Sequence, residues 1–196
     1  MFRSVVAILL AFVVAIGAGA GSVHLALDAS DRFGTIDVGP WSAYPDLGTP
    51  DADPYSRARF AREGTLALGQ AEGLVFTARQ DSEGAVLAPS CRYRIAGDLP
   101  PARFWTLHVV DADGQAIRGE GRQARSAALH SQSLLRAETG EAVIVAARRM
   151  QPGNWLALPD AAGFALRLTL YDTSVAGGGR IAEVAMPVIE RQACDG

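Results

Sequence analysis

The chain opens with a run uncharged on every helical face, the pattern of a membrane-associated helix or, as the bland alternative, of a helix buried whole in a soluble protein. Ser4 to Leu27 holds 24 residues with no formally charged side chain, and His24 is its one titratable group. Val5 to Ile16 is apolar almost throughout. At about 1.5 Å per helical residue, the run reaches roughly 36 Å, enough to cross a hydrocarbon core of about 30 Å. Arg3 and the amino terminus precede it, and Asp28 and Asp31 follow. The positive-inside rule then places the N-terminus in the cytoplasm and the remainder outside it. For a bacterial chain this means an inner-membrane protein with its main domain in the periplasm.

Two readings fit the run. One is a cleaved signal peptide with Ala18-Gly19-Ala20 as its small-residue cleavage site. The other is a retained single-span anchor, because Val23, Leu25 and Leu27 extend the apolar character. Gly17 and Gly21 form a Gly-x-x-x-Gly pair, which lets two helices approach closely in lipid. The expected organisation is residues 1–27 as anchor or signal peptide, residues 28–53 as linker and residues 54–196 as the folded domain. Residues 28–53 carry six Asp and one Arg, broken by Gly34, Gly39, Gly48, Pro40, Pro45 and Pro50.

Composition narrows the chemistry. The net charge is −3, which argues against a nucleic-acid binder. All 18 basic residues are Arg, so Schiff-base and phosphate-loop lysine chemistry is excluded. The two cysteines, Cys91 and Cys194, suit a disulfide pinning the C-terminal tail to the body in an oxidising compartment. Two unrelated thiols are the alternative, and no Cys-x-x-Cys redox motif is present.

Asp53-Pro54 is a helix start and Gly64 a stop, predicting one short helix that carries Arg57, Arg59 and Arg62. Beyond it the apolar period becomes two. Leu74, Phe76 and Ala78 alternate with polar or smaller neighbours, as do Cys91, Tyr93 and Ile95. Trp105, Leu107 and Val109 form a third run, Val143 to Ala147 a fourth, and Phe164 to Leu170 a fifth. Val184, Met186 and Val188 suggest a last strand, with Pro187 marking an edge. The expectation is a mainly β chain, an antiparallel β-sandwich or jelly-roll-like domain.

No metal site or cofactor is expected: His24, His108 and His130 include no pair at ligand spacing. Asp111 and Asp113 flank an Asp-Gly turn. No catalytic set is assigned. The candidate ligand-binding residues are Arg103, Trp105, His130, Asn154 and Trp155, since aromatic platforms beside amide and guanidinium donors suit sugars and other polar envelope ligands.

Several segments together resemble a bacterial family known only as domain of unknown function 1214. They are Gly39-Pro40-Trp41, Asp53-Pro54-Tyr55-Ser56-Arg57-Ala58-Arg59, Asp81 to Gly84, Cys91-Arg92-Tyr93, Leu99 to Leu107, Asn154-Trp155-Leu156 and Leu166 to Asp172. The resemblance implies one N-terminal span followed by one jelly-roll-like domain, and it brings no reaction. In this chain Ala157-Leu158-Pro159 follows Leu156, where the family often has Pro directly.

The functional expectation is an inner-membrane-anchored, periplasm-facing module that binds an envelope glycan, lipid or protein. The alternatives are an envelope hydrolase or lyase using His130 with an acid such as Asp111, or a structural subunit of a membrane complex associating through Gly17 and Gly21.

Overall fold

The computed structural model describes residues 2–29, 34–64, 67–111, 114–117, 128–138, 140–176 and 181–194. The elements in chain order are helix α1 (Phe2–Ala29), strands β1 (Ile36–Val38) and β2 (Trp41–Ala43), helix α2 (Pro54–Glu63), and strands β3 (Gly73–Ala78), β4 (Cys91–Ala96), β5 (Phe104–Val110), β6 (Ala128–His130), β7 (Ile144–Ala147), β8 (Asn154–Ala157), β9 (Ala165–Tyr171) and β10 (Val188–Cys194). A 3-10 turn spans Ile181–Glu183.

Helix α1 is apolar and long enough over Phe2–Ala26 to serve as a membrane anchor or signal sequence, and its most apolar stretch is not buried against the body. Helix α2 forms where its caps dictate. The Asp53 carboxylate accepts from the Tyr55 and Ser56 amides, and Gly64 closes the helix in the left-handed region at φ 65°.

Among the described residues, ten strands build two sheets. The larger has the order β1-β2-β3-β9-β5-β6 and the smaller β10-β4-β7-β8. Their inner faces share one core. Trp41, Phe76, Leu107 and Leu168 enter it from the larger sheet, and Tyr93, Ile95, Ile144, Leu156 and Ile189 from the smaller. The fold is therefore a mainly β, two-sheet sandwich with one apolar N-terminal helix and one short helix, as the alternation implied. Gly73 is required at the head of β3: a Cβ there would lie 2.0 Å from the Leu170 carbonyl oxygen of β9.

The structure corrects three details. Residues 36–43, expected within the linker, form a hairpin that adds two strands to the larger sheet. Trp41 is fully buried there and donates through Nε1 to the Pro187 carbonyl at 2.8 Å. The last strand runs over Val188–Cys194 rather than Val184–Val188. Its pairing with β4 makes it an edge, and Pro187 lies just before it. The sheets are not wholly antiparallel, because β8 pairs with β7 in parallel register, Ile144 opposite Asn154. A six-residue return over 148–153 suffices because each strand spans only about 13 Å. Asn154 opens β8.

Strand β10 is held on both sides. Cys194 pairs in register with Cys91 of β4, and the two form a disulfide. On the other side the Ser82 amide donates to the Ile189 carbonyl, and the Ile189 amide donates to Ser82 Oγ, each at 2.9 Å. Such cover blunts an edge that would otherwise recruit foreign strands.

Candidate functional site

The five residues singled out as ligand-binding candidates are not gathered at one point. Trp105 takes an inward position on β5 and lies in the core. Asn154 is buried and fully committed: its Oδ1 accepts from the Leu135 amide at 2.7 Å, and its Nδ2 donates to the Leu135 and Val143 carbonyls at 2.8 and 3.0 Å. Trp155 is buried on the outer side of the smaller sheet with Ala147 and Ala157, and its Nε1 donates to the Ala147 carbonyl at 2.9 Å. These three residues shape the body. Arg103 and His130 remain at the surface, flanking β5 of the larger sheet.

The proposed pairing of His130 with Asp111 lacks geometry. His130 lies opposite Thr106, five residues before Asp111 along the chain, a separation of about 16 Å for extended backbone. Asp111 instead accepts through Oδ1 from the Gln115 amide at 2.8 Å, as a turn former does. Asp113 lies outside the described residues. Gly17 and Gly21 sit on α1 with nothing within 4 Å of where a Cβ would stand.

The recess between the sheets is lined by Trp41, Ile95, Trp105, Leu107, Ile144 and Leu168, among others. Its cavity measures about 10 Å³, barely the space of one water. That recess has no room for a ligand, and the candidate surface among the described residues is an external one.

It lies on the outer face of β9, β5 and β6. The same alternation that sends Trp105, Leu107 and Val109 inward turns Phe104, Thr106 and His108 outward. The antiparallel register sets Tyr171 opposite Phe104, Thr169 opposite Thr106 and Arg167 opposite His108. On the other flank, His130 faces Thr106. The result is an aromatic row, Tyr171–Phe104–His130, with ring centroids 5.9 and 5.6 Å apart and planes tilted by 37° at each step. Tyr171 and His130 are exposed and Phe104 is half-buried.

The end of the row is polar. The Arg103 amide donates to the Asp172 carbonyl, and the two side chains form an ion pair at 3.4 Å with both groups well exposed. Asp172 adopts φ 49°, the only non-glycine residue with positive φ among those described. Backbone held in that region carries strain, and such strain gathers at functional sites. Farther along the face, burial and then the Arg167 guanidinium lower the His108 pKa, favouring the neutral imidazole. Among the described residues, no three His, Cys, Asp or Glu side chains converge as a metal site.

Of the residues gathered here, the sequence reading singled out His130 and Arg103 and not Phe104, Tyr171 or Asp172. The outward phase of both strands was visible. What was missing was the register that makes neighbours of residues 67 positions apart.

A two-sheet β-sandwich with an apolar N-terminal helix and an aromatic outer face is the class these features define. Residues 72–175 match the family described as Protein of unknown function (DUF1214), more than half of the chain. The protein belongs to that family. No curated protein matches it. Among solved structures, the VPA0106 protein from Vibrio parahaemolyticus is similar at 18% identity and a TM-score of 0.58, over 73% of this chain and 36% of that one. A putative uncharacterized protein from Burkholderia cenocepacia aligns at 17% identity and a TM-score of 0.43, over 90% of this chain and 49% of that one. The present chain thus spans less than half the length of either. The first likeness shows a shared fold.

Proposed function

We propose that this protein is an inner-membrane-anchored, periplasm-facing binding module, with residues 1–27 as the anchor and a jelly-roll-like body that holds an envelope ligand or partner on the outer face of its larger sheet. The observation that carries the reading is the Tyr171–Phe104–His130 row, three rings aligned on a face whose neighbours are Thr, His and Arg. Exposed aromatic surface is costly to leave in water and marks contact sites. Arg3 ahead of the apolar run and Asp28 behind it support the orientation. The Cys91–Cys194 disulfide fits an oxidising compartment.

The test has two arms. A reporter active only in the periplasm, fused after residue 196, should be active. A photo-crosslinking residue at position 171 should give a discrete adduct in cells that disappears with Phe104→Ala. A cytoplasmic C-terminus, or an adduct indifferent to residue 104, would end the reading.

A further inference from the structure

We propose that the ligand of the outer face is a glycan, with pyranose rings stacked on Phe104 and Tyr171 and their hydroxyls bound by Arg103, Asp172 and His130. The inference rests on the outer-face reading above and adds the chemical class. A pyranose presents a face of C–H bonds, slightly positive, which suits the negative face of an aromatic ring. Its rim is a ring of hydroxyls, each needing a donor and an acceptor. The row offers both parts side by side. Its two ring-to-ring steps, 5.9 and 5.6 Å, cross three strands and give room for two linked sugars. Beyond Phe104 and Tyr171, the chain continues directly into Arg103 and Asp172, which pair at 3.4 Å in open solvent. A guanidinium brings donors only and a carboxylate acceptors only, so together they complement a hydroxyl-rich rim.

Other occupants fit less well. A purely apolar chain would desolvate the ion pair without compensation. A polyanion such as nucleic acid would meet Asp172 on a chain of net charge −3. A sugar polymer needs no net charge of either sign.

Asp172 also supplies a discriminating variant. Its φ of 49° is a conformation that glycine adopts without strain. Asp172→Gly therefore removes the carboxylate while relieving backbone strain. It should raise the unfolding midpoint and weaken sugar binding, a combination that general damage to the fold does not produce.

The experiment uses the full chain in detergent micelles. The probes are chitotetraose, cellotetraose and glycan strands released from peptidoglycan, read by saturation-transfer NMR and calorimetry. Saturation should reach the ring C–H protons of at least one probe. Phe104→Ala and Asp172→Gly should each weaken that binding about tenfold, equivalent to the loss of a single good contact, and Phe104→Trp should retain it. Sugar binding that persists unchanged in Phe104→Ala would overturn the assignment. So would silence from all three probes, and the crosslink at position 171 then separates the outcomes. If that adduct persists and depends on Phe104, the glycan class falls and the binding module stands; if it too is missing, both fall.

Discussion

Arg191 Nε donates to Asp81 Oδ2 at 3.0 Å, tying the last strand to a turn 110 residues earlier in the chain. The guanidinium also donates to the Val86 carbonyl at 2.8 Å and lies 5.7 Å from the centroid of the Tyr93 ring. Asp81 is 2% exposed, and its other oxygen accepts from the Glu83 and Ala85 amides. The turn that covers one side of β10 is thus organised around a buried carboxylate whose countercharge comes from β10 itself.

Arg191→Ala leaves that carboxylate buried with amide partners alone. Removing one partner of a buried charged pair costs more than the pair contributes. Because a third of the Arg191 side chain is solvated, the expected loss is about 2–3 kcal/mol rather than the full buried-pair figure. Arg191→Lys should recover only part of it, since an ammonium cannot reach Asp81 and Val86 with the same fork. Urea unfolding curves of the three proteins give the comparison, and a loss below about 0.5 kcal/mol for Arg191→Ala would show that the pair is screened like a surface one.

Asn154 reaches two loop segments at once. Its amide holds Leu135 by both backbone groups, as a paired strand would, and holds Val143 as well. Asn154→Ala should cost about 2–3 kcal/mol, from three lost hydrogen bonds partly recovered by water at the half-exposed segment. Asn154→Asp should be worse, because it points an acceptor at two carbonyl oxygens. Thermal melts of both variants test the order, and an Asp variant as stable as wild type would contradict it.

The Cys91–Cys194 disulfide closes a separation of 103 residues. The chain-entropy account assigns such a loop about 4–5 kcal/mol, and measured values usually fall short. Replacing both cysteines with Ala should therefore cost about 2–4 kcal/mol. Beyond this loss to the whole fold, the free end of β10 should fray. Residues 190–194 are exposed on β10, whereas Ile189 is buried and gripped by Ser82. Hydrogen exchange should accelerate most at 190–194 in the double variant and least at Ile189. Uniform acceleration along β10 would mean that the turn at Ser82 does not hold the strand by itself.

The parts of this fold that were legible in advance share one property: each is a strand whose sequence alternates between its two faces. β3, β4 and β5 alternate because their inward residues fill the core and their outward ones reach solvent, and β9 alternates in sequence although its outward Ala165 and Thr169 are buried as well. Three other kinds of strand leave no such trace. β1, β2 and β6 are three residues long, too short for a period to show. β8 is buried at all four positions, so Asn154 and Trp155 read as special residues when their work is structural. β10 is exposed at all but Ile189, and its polar sequence pushed the expected strand back onto Val184 and Met186. The site followed the same logic. His130 and Arg103 stood out as chemical types, but Tyr171 and Phe104 become a pair only through β9–β5 register, which is a property of tertiary pairing.

The lowered pKa of His108 predicts a pH dependence of folding stability. Its imidazole lies opposite Arg167 on β9 and Ala128 on β6, with Thr106 and Val110 on the same face of its own strand. Burial first, and the Arg167 guanidinium second, hold its pKa below the ordinary value of 6.5. The folded state therefore binds this proton less readily than the unfolded chain does. Between the two pKa values the unfolded chain carries more protons, so stability rises with pH there and falls as pH drops below about 6.5. The full contribution is present above that value. His108→Gln, which keeps a polar group of similar size and cannot titrate, should flatten the decline in unfolding midpoint between about pH 7 and pH 5. If urea midpoints of the variant and wild type fall in parallel across that range, the decline belongs to other groups and His108 has no part in it.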